Sequence, residues 1–167
     1  GTKIDGAIDV AWGPLTGKFT GKKEGDSWSL GGKLSITTGG GSGSIDVTVT
    51  DAGLMSGSGK LKWPIDGNLT LDADASFDAA GGLTLNGKLD VGQVWGAKGV
   101  VASGVLKVNK EGQPSGSLTL SAEQVNIKGF SAQSGSVTVT FGEGTVDFAG
   151  ALKMAWGTLA SADISAS

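Results

Sequence analysis

Apolar and polar residues alternate one for one through nearly every segment of this chain that is able to form regular structure. The clearest run sets Leu69, Leu71, Ala73, Ala75 and Phe77 on one parity and Thr70, Asp72, Asp74 and Ser76 on the other. Successive side chains on a β-strand point to opposite faces, so this period builds a sheet with one dry face and one wet face. No segment shows a convincing 3.6-residue period. The expectation is an all-β protein: a Gly-rich antiparallel meander of about a dozen short amphipathic strands.

The punctuation agrees with that reading. The chain carries 31 Gly and only 3 Pro in 167 residues, without a triplet period. That composition implies many tight turns between many short strands. Gly13-Pro14, the polar stretch Gly21 to Asp26, Gly39 to Gly43, Asp78 to Gly82 and Asn109 to Pro114 read as turns or loops. Connections this short favour antiparallel neighbours in sequential order. Val100 to Val108 has apolar residues on both parities and reads as a strand buried on both faces. The parity slips near Gln124, where a bulge is expected. With no composition shift, residues 1–167 read as a single domain, or as a piece of a longer repetitive protein.

Composition also narrows the chemistry. Cys, His, Tyr and Arg are all absent, and the formal net charge is −3. There is no thiolate or imidazole for nucleophilic or base catalysis, and no ordinary zinc, haem or iron–sulfur ligand set. There is no guanidinium fork for phosphate, and no basic stripe interleaved with aromatics, so nucleic acid is not an expected partner. The reading is of a non-enzymatic protein without cofactor or metal. No stretch approaches the roughly 18 apolar residues of a spanning helix. The start, Gly1-Thr2-Lys3, has no signal-peptide core, so a leader or membrane anchor would have to lie outside this sequence.

A dry sheet face has to be covered, since burying one Leu- or Val-sized side chain is worth roughly 1.5–3 kcal/mol. A membrane barrel would need strands of about 9–11 residues with aromatic girdles, which fits poorly here. A closed soluble barrel of a dozen strands would leave too wide a lumen. A curled groove, a flattened sandwich and a solenoid remain.

Four of the five tryptophans end a strand just before a Gly or Pro. Ile8-Asp9-Val10-Ala11-Trp12-Gly13 echoes Leu152-Lys153-Met154-Ala155-Trp156-Gly157, with looser cousins at Trp63-Pro64 and Trp95-Gly96. A plug followed by a breaker is the plain reading. The sharper one makes Trp12, Trp28, Trp63, Trp95 and Trp156 the lining or rim of a ligand groove. These Trp-Gly ends, with the strings Gly82 to Val91 and Gly116 to Ile127, resemble the AsmA-like bacterial envelope proteins and the type II secretion system protein N family. The resemblance implies a periplasmic, membrane-anchored β-groove that handles lipid acyl chains or serves a secretion machine beside other envelope proteins. The alternative is an extracellular structural or adhesive module, a β-sandwich or β-solenoid subunit able to oligomerise. A weaker third reading is a carbohydrate-binding domain with Trp platforms.

Local constellations have plainer readings. Asp72, Asp74, Ser76 and Asp78 offer oxygens at alternate positions, yet Phe77 replaces the Gly of a calcium loop and the four lie along one wet face. They read as solvated carboxylates. Lys60, Lys62 and Lys88 are placed to pair with Asp72, Asp74 and Asp90 if their strands adjoin. Lys22-Lys23 reads as part of a turn.

Overall fold

The computed structural model describes residues 2–36, 39–53, 55–66, 69–78, 82–90, 101–121, 126–127, 130–142, 145–156 and 160–166. Thirteen strands form one antiparallel sheet, and the described residues contain no helix. They are β1 (Thr2–Trp12), β2 (Leu15–Glu24), β3 (Ser27–Ile36), β4 (Ser42–Thr50), β5 (Met55–Asp66), β6 (Leu69–Phe77) and β7 (Leu83–Asp90). The rest are β8 (Val101–Val108), β9 (Pro114–Ser121), the two-residue β10 (Asn126–Ile127), β11 (Phe130–Gly142), β12 (Thr145–Trp156) and β13 (Ala160–Ala166). Each strand pairs with its sequence neighbours from β1 to β9; β11 then joins β9, with β10 paired to β11 alone. Among the described residues no ladder joins β1 to β13, so the meander is open and not a closed barrel. Sequential antiparallel pairing also sets aside the solenoid.

The alternation assigns the faces as expected. The core is wholly apolar, from Leu15 on β2 to Phe141 on β11, and no polar or charged side chain among the described residues is buried with it. Cross-strand rows are continuous: Phe19, Gly32, Val47, Gly57, Phe77, Leu83 and Val108 stand opposite one another in succession.

The cover for this dry face is the sheet itself. Trp12, at the end of β1, meets Phe77, at the end of β6, edge to face with ring centroids 5.1 Å apart. Strands lie about 4.8 Å apart, so a flat sheet would separate β1 from β6 by roughly 24 Å. A second contact closes the same roll. A Cβ on Gly13, in the β1–β2 turn, would lie 3.2 Å from the Gly112 Cα of the β8–β9 turn. That turn is held by Asn109, whose Oδ1 accepts from the backbone N–H of Glu111 at 3.1 Å and of Gln113 at 2.9 Å. Gly112 stands there at φ 82°, in the left-handed region that favours glycine.

Glycine also makes the roll possible inside the strands. Glycines are interspersed with larger residues along the inward rows, as in Gly17, Leu34, Ile45, Gly59 and Ala75. A Cβ on Gly59 would sit 2.1 Å from the Ser44 carbonyl oxygen, and one on Gly43 would sit 2.3 Å from that of Lys60. The inner face is too tightly curved there for any side chain, as expected of glycine at bends of a coiled sheet.

Two expectations need correction. Val100 to Val108 is not dry on both faces: Ala102, Leu106 and Val108 are buried, while Val105 is 49 % exposed on the outer face. Lys22 and Lys23 are not in a turn; β2 runs through to Glu24 and only Gly25 and Asp26 turn the chain. The slip near Gln124 lies outside the described residues; a register shift does occur further on, between Ala132 and Ser134.

Candidate functional site

Two surfaces result from the roll: a concave apolar face and a convex polar one. The convex face carries cross-strand ion pairs, Lys18–Asp9 at 3.3 Å, Lys33–Asp46 at 3.7 Å, Lys60–Asp74 at 3.7 Å and Lys62–Asp72 at 3.6 Å. The Lys60 and Lys62 pairs are those expected from the pattern; Lys88 stands opposite Asp72 from the other side, and Asp90 stands opposite Val101. The groups of all four ion pairs are exposed, so each pair is worth about 0–1 kcal/mol. Asp72 and Asp74 thus lie in a Lys–Asp lattice, with Ser76 further along the same strand face. Lys22 holds the Glu24 carboxylate at the end of β2. Its hydrogen bond, then its charge, keep Glu24 below the ordinary carboxylate value.

The concave face is closed at one end and open at the other. Along β3 the inward side chains run from Ile36 and Leu34, fully covered, to Leu30, half-buried, and then to Trp28, 39 % exposed. Along β4 the order is Ile45, Val47 and then half-buried Val49. Leu30, Val49 and Met55 stand opposite one another across β3, β4 and β5, all half-buried. Ile8 faces Phe19 in register yet is 53 % exposed. The covering layer reaches the Trp12 end of the sheet and stops short of the Trp28 end. What results is an apolar mouth, about four strand spacings or roughly 19 Å wide, from β1 to β5.

The rim of this mouth is polar. Lys23 pairs in register with Trp28 and lies on the inward parity of β2. Asp51 donates its backbone N–H to the Trp28 carbonyl at 3.1 Å, which places it on the other side of the same tryptophan. Trp28 is therefore flanked across the sheet by Lys23 and Asp51, at the boundary of dry and wet surface.

Of the five tryptophans, the three whose side chains are described do not share one lining. Trp63 is core, 1 % exposed. Trp12 is half-buried against Phe77. Trp28 stands at the opposite end of its strand from these two and alone among them opens to solvent. Trp95 lies outside the described residues; Trp156 ends β12, where its backbone pairs with Ala160. The mouth residues Ile8, Leu30, Val49 and Met55 were not singled out by sequence. One signal does exist: the inward parity of β2 runs Leu15, Phe19 and then Lys23, turning polar where the cover ends.

The chain matches no family model, no curated protein and no solved structure.

Proposed function

We propose that this is a non-enzymatic β-groove protein of the bacterial envelope that takes up acyl chains at its open end, in lipid handling or in support of secretion. The reading rests on one observation: the apolar inner face continues past its own cover and reaches water at Ile8 and Trp28. Contiguous exposed apolar surface rimmed by polar groups marks sites for apolar ligands or partners. A flexible acyl chain suits a shallow sheet face better than a rigid ligand, because it conforms to the ridges between Leu30, Val49 and Met55. The covered core beyond this end is filled by its own side chains, so the ligand would lie across the mouth and not thread the roll. The Gly-rich amphipathic strands that resemble AsmA-like proteins are consistent with the same role.

The test is titration of the delipidated protein with a fluorescent long-chain fatty acid. Saturable binding is expected, reduced at least tenfold by Ile8→Lys and by Trp28→Ser while both variants keep wild-type unfolding curves. Absence of saturable binding, or equal binding by both variants, overturns the proposal.

A structural or adhesive module is the second reading, favoured by the open sheet. Among the described residues β1 pairs on one side only, which leaves an eleven-residue edge for another strand. The register shift between Ile4 and Ala7 interrupts that edge and weakens it as a template. Concentration-dependent ordered assembly would decide for this reading.

A further inference from the structure

The convex face is dented. An open trough of about 870 Å³ crosses β4 to β8 on the polar side, opposite the apolar core. Its cause is on the inner face, where Gly43, Leu61, Ala73, Gly87 and Gly104 stand in register. Four of those five inward residues are Gly or Ala, so the sheet is drawn inward along that row and its outer surface sinks. The dent is built in: a Cβ on Gly87 would lie 2.5 Å from the Asp72 carbonyl oxygen and one on Gly104 would lie 2.4 Å from that of Ser117.

Two polar rails flank it. Lys60, Asp74 and Asn86 pair in register on one side, and Lys62, Asp72 and Lys88 on the other. Along a rail the groups repeat at about 4.8 Å, and two residues of strand separate the rails by about 7 Å. Lys only donates, Asp only accepts and Asn does both, so each rail alternates in kind. A ligand satisfying such rails must offer donors and acceptors at every step, and a hydroxyl group offers both. Three ammonium groups against two carboxylates leave one positive charge, and Lys88 forms no ion pair among the described residues.

We propose that this trough binds a linear acidic oligosaccharide. Sugar hydroxyls run along the rails, and a carboxylate of the ligand is held at Lys88 between the Asp72 and Ser103 strands. The site lies on the opposite face of the sheet from the apolar mouth and does not depend on the acyl-chain reading.

Calorimetric titration of the full chain with tetragalacturonic acid at 0.15 M salt tests it, since at that ionic strength unspecific attraction between distant charges is largely screened. Saturable binding is expected, at least tenfold weaker in Lys88→Ala and in Asn86→Ala. Lys33→Ala, on the same face outside the trough, and Trp28→Ser, at the mouth, are expected to leave it unchanged. Urea unfolding of each variant verifies the fold. No saturable binding, an equal loss in Lys33→Ala, or equal affinity for a tetraglutamate peptide overturns the proposal; the last result would mean that charge alone is recognised.

Discussion

Replacing Gly59 with Ala tests whether glycine shapes this sheet by curvature or merely fills it. By conformational entropy the change should help, because Gly59 has no positive φ, and Gly→Ala at a compatible site stabilises by about 0.4–1 kcal/mol. Sterically it should not, because the new methyl would stand 2.1 Å from the Ser44 carbonyl oxygen and 2.8 Å from the Ile45 Cα. A carbon and a carbonyl oxygen tolerate about 3.3 Å, so β4 and β5 must part locally by roughly 1.2 Å. That stretches the flanking N–H···O bonds from about 2.9 Å to about 4 Å, beyond useful length. Two lost ladder bonds at about 1 kcal/mol each outweigh the entropic gain and leave a net loss of about 1–2 kcal/mol. For a chain of this size the thermal midpoint should fall by about 2–8 °C. Gly31 is the control, because a Cβ there meets nothing closer than the Val47 carbonyl oxygen at 3.8 Å. Gly31→Ala should be neutral or stabilising by up to about 1 kcal/mol. Urea unfolding followed by tryptophan fluorescence reads both. If Gly59→Ala matches the wild type, or Gly31→Ala loses as much, the curvature argument is refuted.

Trp63→Ala removes a fully covered core side chain and should cost about 3–5 kcal/mol in the same assay. A double-mutant cycle on Lys33 and Asp46 should give a coupling under about 1 kcal/mol that fades with added salt, because both groups are exposed. The Glu24 carboxylate should titrate below its ordinary value of 4.5 and return toward it in Lys22→Ala, read by NMR. Because the folded state lowers that pKa, the small stabilisation is present above the ordinary value and lost as pH falls through the folded one.

Much of this architecture is legible in the residues themselves. The alternation from Leu69 to Phe77 names both faces of β6, and Asn109 to Pro114 names the β8–β9 hairpin, because strand period and turn chemistry are local properties. The inward set followed from the same parity. Val100 to Val108 was misread because two extra valines on the wrong parity, Val101 and Val105, imitate a doubly buried strand. Lys22 and Lys23 were misread because polar residues at a strand end look like a turn.

Tertiary structure alone decided where the cover stops. A period of two says that Ile8, Trp12, Trp28 and Trp63 belong to inward faces, and it holds equally for all four. Only the rolling of the sheet places Trp12 on Phe77, buries Trp63 and leaves Ile8 and Trp28 in water, since that depends on contacts between strands far apart in the chain. The trough on the outer face has the same origin: its rails are written in the strands, but its depth comes from Gly43, Ala73, Gly87 and Gly104, on four of five neighbouring strands, falling into register. Pattern along a strand is local and survives in the sequence; curvature across strands is a sum over pairings and exists only once they form.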